Sequence, residues 1–147
     1  MKYASIVAVS LLVATACLAG SVDDTPRATR VIEGTKSTFP EKSIPEGVKA
    51  LTAVLESCHN ISDGTVRYTA DNLRKAQKGD HVRFVLPKPV KVEILGKKLE
   101  VTEAIYADGV FWLACGKDVV RCAKYTHDKM EEFRKWYRQL LPADRAD

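Results

Sequence analysis

Apolar residues recur along this chain at two spacings: every three or four positions in its flanking parts, and every second position between them. Val48, Leu51, Leu55 and Cys58 follow at helical intervals after Ser43-Ile44-Pro45-Glu46, which has the spacing of a capping box with proline in the first turn. That spacing predicts a helix over about 44–57. His59 to Gly64 reads as a turn cluster, Val66 and Tyr68 as a short strand, and Ala70 to Gln77 as a second helix stopped by Lys78-Gly79-Asp80. From His81 the period is two, with Val82/Phe84/Leu86, Val90/Val92/Ile94 and Leu99/Val101 alternating with polar neighbours as half-buried strands do. Pro87-Lys88-Pro89 is expected to break the first pair of strands and Gly96-Lys97-Lys98 to turn the second, with hairpins at Asp108-Gly109 and Gly116-Lys117-Asp118. Val110 to Cys115 is apolar throughout, which predicts cover on both faces. Thr126 or Asp128 is placed to cap a last helix, in which Met130, Phe133, Tyr137, Leu140 and Leu141 form one stripe ending at Pro142.

These elements predict an α+β domain: a five-stranded antiparallel meander or small barrel over about residues 81–125, flanked by an N-terminal helix and a C-terminal amphipathic helix. The run Lys78-Gly79-Asp80-His81-Val82-Arg83-Phe84, leading strands joined by short turns, resembles the opening of small barrels of the Src-homology-three or oligonucleotide-binding type. The resemblance implies a fold and carries no functional residues.

The first residues give an address. Lys2 opens a short charged region, Ile6 to Ala16 is free of charge, and Ala14-Thr15-Ala16 offers the small residues that signal peptidases need. The apolar run is shorter than the ~20 residues that span a bilayer. Ala14-Thr15-Ala16-Cys17 also resembles the lipobox of bacterial lipoproteins, which implies that Cys17 becomes the acylated first residue and, with Leu18 after it, is sorted to an outer membrane. Ala14 stands where Leu is usual, so ordinary cleavage near Ala16 or Ala19 to a soluble form is the other outcome. The expected organisation is a signal peptide over 1–16, a flexible spacer over 17–42, one globular domain over 43–142 and a tail over 143–147. Ser21 to Lys42 reads as spacer because only Val31-Ile32 and Phe39 interrupt its polar run.

Removing the leader, with its single Lys2, lowers the net charge from +4 to +3. Lys91/Glu93, Lys98/Glu100 and Glu131/Glu132/Arg134/Lys135 alternate in sign, unlike the concentrated basic face of a nucleic-acid binder. Nucleic acid is therefore not an expected partner, and a membrane is one only through an anchor at Cys17.

Beyond Cys17 the chain has Cys58, Cys115 and Cys122. An odd number in an exported protein allows at most one internal disulfide and leaves one thiol. If Lys117-Asp118 is a two-residue loop, Cys115 faces Val120 and Cys122 lies diagonally at roughly 7 Å, beyond comfortable bridging distance. A bridge from Cys58 to either one, or three buried reduced thiols, are the alternatives. Cys58-His59, His81 and His127 add residue types of a soft-metal site, but no Cys-x-x-Cys or His-Glu-x-x-His spacing occurs, so no metal ligands are assigned. The histidines are expected to be exposed.

No nucleophile elbow, phosphate-cradling loop or dinucleotide fingerprint is present, and Ser57-Cys58-His59 lacks an orienting third group. No catalytic residue and no cofactor are assigned. Trp112, Tyr106 and Trp136 are the residue types that dominate binding surfaces, and a groove built from these three is the expected contact site for a protein or envelope ligand. The sequence thus points to a small bacterial envelope protein, secreted, periplasmic or lipid-anchored, acting as a non-catalytic binding module. A metal-binding or thiol-active protein using Cys58, Cys115 and Cys122 is the alternative, and a small hydrolase the third.

Overall fold

The computed structural model describes residues 24–62 and 70–140. The leader, Cys17, the strand expected at Val66 and Tyr68, and the tail lie outside those residues. One antiparallel sheet organises the rest. Its strands are β1 (Arg27–Ile32), β2 (Thr35–Thr38), β3 (Asn60–Ser62), β4 (His81–Ile94), β5 (Lys97–Ala107), β6 (Val110–Cys115) and β7 (Asp118–Ala123), in the order β2-β1-β4-β5-β6-β7-β3. The helices are α1 (Ile44–Glu56), α2 (Ala70–Ala76) and α3 (His127–Tyr137). The α+β class holds, but the sheet has seven strands instead of five and stays open, with β2 and β3 as its edges, so it is not a barrel.

Three features of the chain account for the difference in strands. Asn60–Ser62, within the expected turn cluster, pairs with β7 as the edge strand β3. The segment expected to be spacer contains the β1–β2 hairpin, closed by Glu33 and Gly34 at φ 50° and 80° and paired to β4 from Arg27↔Val85 to Val31↔His81. Its core-facing positions include Ala28 and Arg30 rather than large apolar residues, which hides the alternation. Pro87 and Pro89 do not end a strand. They sit in an irregularity of β4 where the register steps from Val85↔Glu103 to Val90↔Val101, so their missing N–H groups cost no ladder bond. The capping box does not form either: Ser43 Oγ donates to Pro40 O at 2.8 Å and makes no cap bond to α1.

Strand alternation sorts the sheet into two faces. One inner row runs Ala28–Phe84–Ala104–Leu113–Val120, and the next runs Arg30–Val82–Tyr106–Phe111–Cys122–Ile61. α1 supplies Leu51, Val54 and Leu55 to the core, and α3 supplies Met130, Phe133 and Trp136. α3 is phased so that Trp136 is buried, while Tyr137, the expected stripe residue, is half-buried. The Trp136 ring stacks 4.1 Å from Phe39 and 5.2 Å from Phe84, and its Nε1 donates to Ser43 O at 2.7 Å. Gly47 makes the room for it.

Cover on the outer face is uneven. Val110–Cys115 buries Phe111 and Leu113 but leaves Trp112 half-buried, so the expected full cover of both faces is not met. Ile105, paired with Trp112, is nonetheless fully buried on that side. Among the described residues no helix is long and apolar enough to cross a membrane.

Candidate functional site

The three aromatic residues expected to form a groove do not meet. Trp112 lies in the outer row Thr29–Arg83–Ile105–Trp112–Arg121–Ser62, with the Arg121 guanidinium 6.0 Å from its ring centroid. Tyr106 is on the inner face, and Trp136 is sealed in the core at 2 % exposure. Trp112 and Tyr106 are sequence parity mates in different strands, and a register set by the β5–β6 turn sends them to opposite faces. His59 and His127 are exposed, as expected. His81 departs from expectation: it is 8 % exposed, and its Nδ1 lies 2.8 Å from Gly79 O. A carbonyl only accepts, so Nδ1 carries the proton.

The cysteines are distributed by register. Gly116-Lys117 is the β6–β7 turn, so Cys115 faces Asp118 and Cys122 faces Phe111, which moves Cys115 and Cys122 further apart than the assumed pairing with Val120 would. Cys58, at the end of α1, instead adjoins β7, with its Sγ 3.1 Å from Asn60 O and 3.2 Å from Ala123 O. Burial, then the nearby Asp118 carboxylate, pushes the Cys115 thiol up to about 11. Among the described residues no group of three or more His, Cys, Asp or Glu side chains is placed to hold a metal ion.

Two of the clefts that open on the surface among the described residues differ in chemistry. The larger, about 1060 Å³, has Val92, Leu99, Val120 and Cys115 on its floor, with Glu56, Lys91, Glu93, Lys98, Glu100 and Asp118 around it. Those six charged residues are all exposed, so water already solvates them, and the two lysines offset part of the charge of the four acids. The smaller cleft, about 310 Å³, lies where β1, the β5–β6 turn and the end of α3 come together, and is lined by Arg30, Ile32, Asp80, His81, Tyr106, Asp108 and Tyr137 among others. Its chemistry is more specific.

Arg30 is the reason. The residue is 5 % exposed, yet among the described residues no carboxylate forms an ion pair with it. Nη1 donates to Tyr137 O at 2.7 Å, which satisfies a carbonyl at the end of α3, and the guanidinium sits 5.1 Å from the Tyr137 ring centroid. Among the described residues Nε is buried and has no hydrogen-bond partner. Burial lowers the Arg30 pKa from its ordinary value, while Tyr137 and the more distant Asp80 act in the opposite direction. Arginine nevertheless stays charged in proteins. A buried donor left unmade costs roughly 1–3 kcal/mol, more when charged, so a position of this kind in a cleft wall calls for an acceptor.

The remaining groups shape that acceptor. The Tyr106 hydroxyl interacts with Arg134, which also donates to Glu131 at 2.6 Å. Asp80 Oδ1 accepts from Glu33 N–H at 2.9 Å, tying the cleft mouth to the β1–β2 turn. Asp80 and Asp108 are both exposed. Sequence reasoning missed Arg30 because it assigned the residue to a spacer. The signal available was the alternation Ala28, Arg30, Ile32 before Glu33-Gly34, which reads as one face of a hairpin strand.

Comparison with known proteins gives no match to a family model, to a curated protein or to a solved structure.

Proposed function

We propose that this chain is an exported, non-catalytic binding module of the cell envelope, secreted or tethered through Cys17, that takes the carboxylate of a small organic ligand in the Arg30 cleft. The buried Arg30 guanidinium, which among the described residues has no carboxylate in ion-pair contact and an unpartnered Nε, is the observation that carries the reading. A guanidinium edge matches the planar geometry of a carboxylate. The Tyr137 ring offers an apolar wall, and a volume of about 310 Å³ lies at the small end of ligand sites. Asp80 and Asp108 near the opening repel a doubly charged phosphate more than a monoanion. Export rests on the leader residues, from Lys2 to Ala16.

The test is thermal unfolding of the protein in acetate, phosphate, sulfate or chloride at one ionic strength. Acetate is expected to raise the midpoint above that in chloride, with phosphate and sulfate below acetate. A ligand at twentyfold excess over its Kd adds about 1.8 kcal/mol, several degrees for a domain of this size. Equal midpoints in all four salts would sink the proposal.

A further inference from the structure

We propose that Cys58 and Cys122 are the redox pair of this protein and close into a disulfide that joins the end of α1 to β7, leaving Cys115 as a free thiol. The inference stands apart from the ligand reading and rests on packing. Cys58 follows α1 directly, and the chain then enters β3, whose Asn60↔Ala123 and Ile61↔Cys122 pairings lay it against β7. His59 N–H donates to Lys124 O at 3.0 Å and Cys58 Sγ reaches Ala123 O at 3.2 Å, so the backbone holds Cys58 beside Cys122 from both sides. Both residues are buried, at 3 % and 0 % exposure, and their thiols are close enough to shift each other's ionisation.

That contact divides the two sulfurs into an attacking and a resolving group. Cys122 acts to lower the Cys58 thiol below its ordinary value, against the opposing effect of burial. Cys58 and burial push Cys122 up. Cys115 is separated from both by register, since it faces Asp118 at the far end of β6.

Oxidation needs a disulfide co-reactant, and a small one such as oxidised glutathione suffices. The Cys58 thiolate attacks one sulfur of the co-reactant, forming a mixed disulfide and expelling one thiolate. Cys122 then gives up its proton and attacks the Cys58 sulfur, expelling the second. Two cysteine thiols are oxidised, one co-reactant disulfide is reduced to two thiols, and the two cysteine protons end on them. Burial places this exchange in folding, or in an opening of the three-residue edge strand β3, and afterwards shields the bond from reductant.

The experiment is refolding of the full reduced chain in a mixture of reduced and oxidised glutathione, blocking of free thiols with N-ethylmaleimide, and tryptic mapping without reduction. The expected product is one cross-linked peptide pair, 50–67 joined to 122–124, about 2 Da below the sum of its free thiols, with the peptide containing Cys115 alkylated. A Cys115→Ser variant is expected to give the same cross-link. Alkylated Cys58 and Cys122 after refolding, or a cross-link containing Cys115, would overturn the assignment.

Discussion

Changing Gly47 to Ala is expected to destabilise the protein by about 2–3 kcal/mol, the reverse of what helix propensity alone dictates. In an exposed helix interior the same change gains up to about 1 kcal/mol, because glycine loses the most backbone freedom on folding. Here the added Cβ would lie 2.2 Å from Trp136 Cζ2 and 2.3 Å from Cε2, well inside contact distance. The ring cannot retreat at small cost, since it is stacked between Phe39 and Phe84 and its Nε1–H is committed to Ser43 O. The collision must be absorbed by moving α1 off α3 or by giving up that stack and hydrogen bond. Urea unfolding reads the effect as a lower midpoint at constant slope. A Trp136→Leu change in the Gly47→Ala background should recover part of the loss, since the two positions share one space and their effects cannot add. A Gly47→Ala protein more stable than the parent would show that the ring slides freely.

Replacing Arg30 with Met should produce the second large effect, with a sign that separates a binding arginine from a structural one. If the guanidinium served mainly to hold Tyr137 O, its loss would weaken the end of α3 and lower stability. Stability is expected instead to stay within about 1 kcal/mol of the parent, or to rise, because replacing a buried charge that has no ion-pair partner among the described residues by an apolar chain of similar length relieves its desolvation. The midpoint gain from acetate is expected to vanish in the same variant. Retained acetate stabilisation in Arg30→Met would move the anion to another site.

Much of the sheet was legible in the sequence, because β4 and β5 follow period-two alternation and Asp108-Gly109 turns with both residues at positive φ, 51° and 77°. What escaped depended on contacts between distant segments. β1 carries Ala28 and Arg30 toward the core and becomes a strand only by pairing with β4, so its composition read as linker. β4 continues past Pro87 and Pro89 because β5 steps its register there, which local rules do not reveal. Trp136 is absent from the stripe predicted for the last helix and was expected in a binding groove, yet the absent side chain of Gly47, some ninety residues earlier, lets it enter the core. The site followed the same logic. Arg30, Tyr106 and Tyr137 come from three elements separated by most of the domain, and only the row Arg30–Val82–Tyr106 and the end of α3 bring them to one cleft.

The central claim is that Arg30 receives a carboxylate, and its own side-chain Nε–H reports on this directly. In a nitrogen–proton correlation spectrum of labelled protein, the Arg30 Nε–Hε signal is assigned by its loss in Arg30→Met and followed through an acetate titration in which chloride holds the ionic strength constant. The account predicts a saturable shift of that signal, larger than those of the other arginines, with slowed exchange of its proton at saturation. An Arg30 signal that stays in place across the titration, or moves only in proportion with every other arginine, would contradict it.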